Sequence, residues 1–355
     1  MTLRIASAGE SHGPALVAIL TGLPAGLTVD RDAVDADLRR RQEGYGRSPR
    51  QKIEQDRVEV LAGLRHGRTL GTPLALVVRN RDHENWLWGM APWPPEGDPS
   101  GKGTRPVTLP RPGHADLAGV LKYGHVDVRD ALERASARHT AVHVAAGSVA
   151  KALLAAIGIR VEGVAVDEPE LQARIDEARA DRDTVGGIVE VRATGVPPGL
   201  GSYASKEDRL DARLAAAVMG IQAVKGVEIG DGFALAALRG SEAHDEIGPD
   251  RRRSTNHAGG IEAGMSNGEE IVVRAAMKPL PTLMKPLASV DLVSGKPGQA
   301  LVERSDVAAV EALAVVAESS VAWELAVAAC EKFGGDALVD FVAAHRAYVE
   351  RIQWT

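Results

Sequence analysis

Cysteine is nearly absent from this 355-residue sequence, which contains only Cys330. A lone cysteine cannot form an internal disulfide, and no cysteine–histidine cluster has zinc spacing, so the sequence predicts no metal site. The alanine-rich surroundings of Cys330 favour a small buried side chain. Aromatic residues are also scarce, at 3% of the chain, which leaves alanine, valine, leucine and isoleucine to build the core.

Basic charge and long apolar runs are lacking too. The formal net charge is −6, whereas nucleic-acid-binding proteins are more often basic overall, so no nucleic-acid partner is expected. An uninterrupted apolar run of about 18 residues is absent, so no membrane span is expected. The first residues lack a basic segment followed by an apolar run, the mark of a signal peptide, and we therefore expect a cytoplasmic protein.

The organisation of the chain favours one unit. No linker rich in proline, glycine or serine divides it, so we expect residues 1–355 to form a single domain. Residues 86–113 hold three of the five tryptophans and seven of the nineteen prolines, a proline density that predicts a long loop. Apolar periodicity predicts helices over Asp116–Tyr123, Val128–Ile157 and Leu210–Met219.

A glycine-flanked motif, Gly-Glu-Ser-His-Gly-Pro at 9–14, contains the first candidate for acid–base chemistry. Glycines on both sides allow a sharp turn and a close approach to a ligand. Histidine titrates near neutral pH without perturbation, so His12 is a candidate proton donor. An ordinary turn histidine is the alternative interpretation.

Arginines surround a second glycine motif, Gly-Tyr-Gly at 44–46. Arg41 and Arg47 flank it and are placed to converge on an anion, and the planar guanidinium group suits phosphate and carboxylate. Arg39 and Arg40 are explained well as a solvated helix end, where basic residues complement the helix dipole.

Three further segments are typical of ligand contacts. His114 lies just before a predicted helix, a position that favours anions, and Asp116 is interpreted as the cap of that helix. The glycine-rich stretch 256–268 predicts either a flexible hairpin or a backbone cradle for a flat or phosphorylated ligand. Lys278–Thr282 directly follows a predicted strand, and a lysine with a nearby threonine hydroxyl suits a phosphate.

The combination of these groups narrows the chemistry. The sequence has candidate acid histidines, loop arginines and glycine-rich segments, but no nucleophile–base signature, dinucleotide fingerprint or Walker loop. That set favours a polyanionic substrate and elimination over hydrolysis or phosphoryl transfer. The alternatives are a flavoprotein reductase that oxidises NADPH and a non-catalytic RNA or polyanion binder, although scarce aromatics argue against stacking on bases.

Several long motifs match one family in order along nearly the whole chain. Gly-Glu-Ser-His-Gly at 9–13, Arg-Pro-Gly-His-Ala-Asp at 111–116, Glu-Arg-Ala-Ser-Ala-Arg at 133–138 and Met-Gly-Ile-Gln-Ala-Val-Lys-Gly-Val-Glu-Ile-Gly-Asp-Gly-Phe at 219–233 resemble chorismate synthase. So do Ser-Thr-Asn-His-Ala-Gly-Gly-Ile at 254–261, Lys-Pro at 278–279, Arg-Ser-Asp at 304–306 and Phe-Gly-Gly-Asp at 333–336.

The resemblance implies both a fold and a reaction. The implied fold is α+β, a β-α-β sandwich with central helices between antiparallel sheets, assembled as a homotetramer. The implied reaction converts 5-O-(1-carboxyvinyl)-3-phosphoshikimate to chorismate and phosphate, the last common step towards aromatic amino acids. It implies reduced FMN (FMNH2) as cofactor and NADPH as the ultimate reductant. Because the sequence has no obvious extra insertion, we expect an external flavin reductase.

The resemblance also implies functional residues. Its catalytic positions correspond to His12, expected to protonate the leaving phosphate, His114, expected near N1 of the reduced flavin, and Asp306, expected near N5. Its substrate or nicotinamide positions are Ser11, Arg41 and Arg47. Its flavin contacts are Arg134, Ala135, Ser136, Gln222, Ala223, Ala263, Lys278, Pro279, Leu280, Pro281, Thr282 and Arg304.

The sequence departs from the family pattern at three places. His139 stands where the family usually has glutamate, and Ala263 stands where a flavin-contacting glycine is usual. Val-Ala-Ala-Val-Glu at 307–311 replaces a more usual Cys-Ala-Val-Pro. The extra methyl group of Ala263 bears on flavin affinity, but none of the three changes removes a group to which chemistry is assigned.

Overall fold

The computed structural model describes residues 2–48, 55–166, 168–302 and 306–353. Arg304, which the resemblance assigns to the flavin, lies outside the described residues. The helices are α1 Arg31–Gln42, α2 Asp116–Tyr123, α3 Arg129–Ala135, α4 Thr140–Ala155, α5 Glu168–Ala180, α6 Leu210–Met219, α7 Gly240–Ala243, α8 Val310–Phe333 and α9 Leu338–Ile352.

Runs rich in valine, leucine, isoleucine and alanine form the strands, because such side chains pack well on a half-buried sheet. The strands are β1 Arg4–Ala8, β2 Ala15–Thr21, β3 Val58–Ala62, β4 Leu64–Arg65, β5 Arg68–Thr69, β6 Leu74–Arg79, β7 Arg160–Ala165, β8 Gly187–Thr194, β9 Val224–Ile229, β10 Ile261–Glu262, β11 Met265–Ser266, β12 Ile271–Met277, β13 Ala288–Val290 and β14 Pro297–Gln299. Two antiparallel four-stranded sheets result, with strand orders β1-β2-β6-β3 and β7-β8-β12-β9.

Helices fill the space between the two sheets. Helices α1 and α4 contact the first sheet, α6 and α8 contact the second, and α4 packs along α8. Leu153 and Leu154 of α4 and Leu325 of α8 are fully buried in the resulting core. This is the predicted α+β sandwich with central helices. The single-domain assignment stays a prediction.

Helix α8 is long and apolar enough to cross a membrane by length and composition. However, 83% of its most apolar 18-residue window is buried inside the protein. It contacts α4 on one side and strands β7 and β8 on the other. We therefore describe α8 as the central helix of the core.

The predicted helix over Val128–Ile157 is wrong as one continuous element, because it is interrupted between α3 and α4. Ser136 adopts an extended backbone, with φ −61° and ψ 141°, and its hydroxyl accepts a bond from the Arg138 backbone N–H. Serine competes in this way with the helical bonding pattern. The freed carbonyl of Ala137 accepts hydrogen bonds from Thr140 and from the guanidinium of Arg41. The segment 86–113 contains neither helix nor strand, as its prolines predict.

Close packing of α4 on α8 leads to a stability prediction at Gly147. A Cβ added there would lie 2.3 Å from Cβ of Ser319. Gly147→Ala should therefore destabilise the protein by about 1–3 kcal/mol through overpacking, even though alanine favours a helix by about 1 kcal/mol. Chemical denaturation measures the change. Gly226→Ala is the control, because its Cβ would lie 3.5 Å from Cβ of Ala276, an ordinary contact. Equal stability of the two variants would contradict the prediction.

Candidate active site

A cavity of about 530 Å³ lies where the 9–14 turn, the break between α3 and α4, and the end of β12 meet the first half of α8. This volume is within the range of small-molecule sites. The lining includes the apolar side chains of Leu132, Ile221 and Leu313. The predicted site residues that line the cavity are Ser11, His12, Arg41, Arg47, His114, Ala135, Ser136, Gln222, Ala223, Lys278, Leu280, Pro281, Thr282 and Asp306.

His12 is held by a carboxylate. Its Nδ1 lies 2.9 Å from Oε1 of Glu133, and its backbone N–H donates to Oε2 at 2.8 Å. The pairing requires a proton on Nδ1 and turns the opposite edge of the ring, with Nε2, away from Glu133. Burial is the largest influence on Glu133 and raises its pKa, but hydrogen bonds from His12 outweigh it, so the pKa lies below its usual value.

His114 is held by a second carboxylate, Asp116. Its Nδ1 makes a short contact with Oδ1 of Asp116, and the same carboxylate accepts from the backbone N–H and Nε of Arg111, both at 2.9 Å. Burial of Asp116 raises its pKa, but the bonds from His114 and Arg111 reverse the shift and leave the pKa well below its usual value. Arg111 also donates to the Thr282 hydroxyl at 3.0 Å.

The interpretation of Asp116 as a helix cap is wrong. The N-cap of α2 is Ala115, which has no side-chain capping bond, and Asp116 is the first helical residue. Its carboxylate is 1% exposed and turns back to His114 and Arg111 instead. The sequence did contain a signal for this pairing, because Asp116 follows the candidate histidine His114 by two residues. Glu133 gave no such signal, because it is 121 residues from His12.

Arg47 and Asp306 form an ion pair on the cavity wall. Nη1 of Arg47 lies 2.9 Å from Oδ2 of Asp306, and the Ser48 backbone N–H donates to Oδ1 at 2.7 Å. Burial is the largest influence on Arg47 and lowers its pKa, although the charge of Asp306 opposes that effect. Nε of Arg47 is a buried donor with no hydrogen-bond partner among the described residues.

The guanidinium of Arg41 is held by hydrogen bonds and an ion pair to other residues of the protein. Its Nε donates to the Thr140 hydroxyl at 2.8 Å, and Nη1 lies 3.4 Å from Oδ2 of Asp56. The same oxygen of Asp56 accepts from Arg138 at 2.7 Å. Burial lowers the pKa of Arg41 to about 10, so the group remains charged at neutral pH. Arg41 therefore braces the break between α3 and α4 as well as lining the cavity.

Gln222 presents an unsatisfied acceptor. His139 donates from Nδ1 to the Ser136 carbonyl at 2.8 Å, which leaves Nε2 to accept from the Gln222 side-chain amide at 3.1 Å. The amide orientation is thereby fixed, and Oε1 of Gln222 is buried without a hydrogen-bond partner in the described part of the chain. Burial of His139 lowers its pKa and keeps its ring neutral. Lys278 donates to the Gly113 carbonyl across the cavity mouth.

Three predicted flavin contacts do not line this cavity. Arg134 points back to the first sheet and donates to the carbonyls of Gly9 and Ser7 at 3.0 and 3.2 Å. Pro279 lies in the segment that follows β12 but is not part of the lining. Ala263 lies between β10 and β11 with φ +49°, a left-handed conformation that explains why glycine is usual there.

The family follows from comparison with known proteins. A sequence model of chorismate synthase matches residues 3–169 and 165–330. The chain belongs to the chorismate synthase family. The chorismate synthase of Desulforudis audaxviator (strain MP104C) is 54% identical over 387 residues, covering 99% of this chain and 98% of that protein. The chorismate synthase of Symbiobacterium thermophilum is 53% identical over 388 residues, covering 99% of both.

A solved structure supports the same fold. A crystal structure of chorismate synthase superposes with a TM-score of 0.79 at 35% sequence identity, covering 100% of this chain and 99% of that one. The α+β fold class predicted from the motifs is confirmed. Chorismate synthases are carbon–oxygen lyases, and this family member is an enzyme of that class.

Proposed function

We propose that the protein converts 5-O-(1-carboxyvinyl)-3-phosphoshikimate to chorismate and phosphate by anti-1,4-elimination, with reduced FMN and no net redox change. The observation that carries the proposal is the pair of carboxylate-held histidines, His12 with Glu133 and His114 with Asp116, both on the wall of one cavity. Arginines beside them suit a substrate with one phosphate and two carboxylates.

The residues present fit reduced FMN. Its flat ring would need apolar contacts, and the cavity lining contains Leu132, Ile221 and Leu313. The N3–H of a flavin is a donor, and the orphaned Oε1 of Gln222 is a buried acceptor on the lining. When bound, reduced FMN supplies electron density for C–O cleavage and takes it back. The residues that would hold it are Ala135, Ser136, Gln222, Ala223, Lys278, Leu280, Pro281 and Thr282.

The protein's own groups handle protons and charge. His12 delivers a proton to the leaving phosphate as a general acid, and Glu133 stabilises its protonated ring. His114 would offer positive charge to an anionic cofactor in the cavity, and Asp116 keeps that imidazole oriented. Asp306 would hold a proton for relay on the cavity wall, while its ion pair with Arg47 fixes both side chains.

The arginine beside Asp306 gives a binding prediction. Arg47→Ala should weaken substrate binding about ten- to a hundred-fold, because losing a charge-assisted contact removes roughly 1.5–3 kcal/mol. Substrate titration under anaerobic conditions measures the loss, and Arg47→Lys should recover part of it. The matched control is Arg39→Ala, which removes an exposed arginine from the end of α1. If Arg47→Ala binds substrate with wild-type affinity, Arg47 pairs with Asp306 but does not contribute to substrate binding.

An anaerobic assay tests the reaction itself. The purified protein is given chemically reduced FMN and the phosphorylated substrate, and chorismate absorbance and phosphate are followed together. We expect the two products in equal amounts while the flavin remains reduced. Oxidation of NADPH or of the flavin without either product would favour a flavoprotein reductase and overturn the proposal.

The cellular setting is part of the proposal. We infer a cytoplasmic homotetramer of single-domain subunits in the pathway to aromatic amino acids, with NADPH as ultimate reductant through an external flavin reductase. Membership of the family supports the pathway, the tetramer and the use of NADPH. The absence of an obvious insertion relative to the family motifs supports the external reductase.

A further inference from the structure

The segment Asn80–Trp86 wraps around the turn that carries His12. The Asn80 side-chain amide donates to the carbonyls of Glu10 and Gly13 at 3.0 and 2.8 Å, which closes both ends of the turn. His83 then donates from Nδ1 to the His12 carbonyl at 2.8 Å. The backbone of His12 is therefore fixed from this segment, independently of Glu133.

Trp86 ends the segment and lies flat on the His12 ring. The two ring centroids are 4.0 Å apart and the ring planes differ by 21°. The indole is itself fixed, since Nε1 donates to Oδ2 of Asp82 at 3.0 Å. A Cβ added at Gly103 would lie 2.8 Å from the indole, so the loop backbone at Gly103 packs directly against that ring.

The surroundings of Trp86 are not those of an ordinary core residue. It is only 7% exposed, yet it belongs to neither apolar cluster of the described residues. Its charged neighbours are the guanidinium of Arg129, 4.8 Å from the ring centroid, and the ammonium of Lys102, at 5.9 Å. Arg129 also pairs with Glu133 at 3.4 Å, so the same groups surround the indole and the His12–Glu133 pair.

We propose that Trp86 is a positioning residue for His12: its indole sets the plane of the imidazole, so that Nε2 points to the reacting phosphate. Glu133 anchors one ring nitrogen, which still allows rotation about the line from Nδ1 to the carboxylate. Stacking removes that remaining freedom. The inference rests on the proposed function, which gives His12 a proton to deliver. A misplacement of about 1 Å in such a group is enough to cost roughly a hundred-fold in rate.

Three substitutions test the role of the flat ring. Trp86→Leu retains an apolar side chain but no ring face, and should lower kcat about ten- to a hundred-fold with little change in KM. Trp86→Phe restores a flat ring and should recover most of the rate. Trp93→Ala is the control, because it removes a side chain that is 79% exposed in the same loop. Equal kcat in the leucine variant and the wild type would overturn the proposal.

A spectroscopic readout does not depend on turnover. The imidazole stacked on the indole should alter the emission of Trp86, which is measured as the difference spectrum between wild type and Trp86→Phe. The same difference measured in the His12→Ala background should have a different intensity. Identical difference spectra in the two backgrounds would contradict the stacked arrangement.

The two hypotheses fail in different ways. If His12→Ala turns over at the wild-type rate, the acid role of His12 is wrong, and the proposed mechanism fails with it. If His12→Ala is inactive while Trp86→Leu keeps the wild-type kcat, His12 remains the acid and only the positioning role of Trp86 is lost.

Discussion

Replacing His12 with alanine should lower turnover by roughly 10²–10⁴-fold, while the variant still forms the complex with reduced flavin and substrate. The reason is that His12 is the buried, carboxylate-held imidazole on the cavity wall, 6% exposed and bonded to Glu133 through Nδ1. Single-turnover formation of chorismate and phosphate measures the chemical step, and flavin absorbance changes report the complex. Wild-type turnover in this variant would remove the central step of the mechanism.

Glu133→Gln distinguishes the two effects of Glu133 on His12, which are to orient the imidazole and to stabilise its positive charge. The amide oxygen can still accept from Nδ1 of His12, but it cannot stabilise a protonated imidazole, so we expect a smaller loss than in His12→Ala. Because the pKa of Glu133 is lowered, its carboxylate stays ionised as pH falls, until that lowered pKa is reached. Protonation of Glu133 therefore contributes no loss of rate at any pH above that lowered pKa.

Local sequence patterns correctly predicted the helices whose ends are determined by neighbouring residues. The helix over Asp116–Tyr123 ends as predicted, because Gly124 adopts the left-handed conformation of a C-cap, with φ 69°. The helix over Leu210–Met219 also has the predicted limits. The break at Ser136 was not predictable in this way, because the Ala137 carbonyl beside it accepts from Arg41, 96 residues distant in the sequence, as well as from the local Thr140.

In the candidate site, too, local sequence patterns predicted some residues and missed those that depend on distant contacts. The motifs identified His12, His114 and the arginines one by one, since each lies in or directly beside a glycine-rich or proline-rich loop. The partner of His12 could not be read from spacing, because its pairing with Glu133 exists only once α3 packs against the 9–14 turn. The family resemblance supplied the predicted flavin contacts, such as Gln222, that chain geometry alone does not assign. The stacking of Trp86 on His12 has no signal in the sequence beyond an aromatic residue in a loop.

His114→Ala should lower the rate by roughly 10²–10³-fold, as expected for removing an electrostatic partner of a developing charge, and it should also change the flavin itself. The proposed role of His114 is to place a cation beside the reduced flavin, and the carboxylate of Asp116, whose pKa is depressed, would stabilise that charge. A cation near N1 of reduced flavin favours the anion and lowers the pKa of the N1 proton. Removing the cation should therefore raise that pKa.

An anaerobic pH titration of reduced-flavin absorbance distinguishes the two histidines. The titration should move to higher pH in His114→Ala and stay at its wild-type position in His12→Ala, because His12 is assigned to the leaving phosphate. Asp116→Asn should shift it in the same direction by a smaller amount, since a neutral amide holds the proton on His114 less strongly. Thermal unfolding of each variant accompanies the titration, because Asp116 is 1% exposed and also pairs with Arg111. A shift in His12→Ala without one in His114→Ala would exchange the two roles, placing His12 beside the flavin and His114 at the departing phosphate.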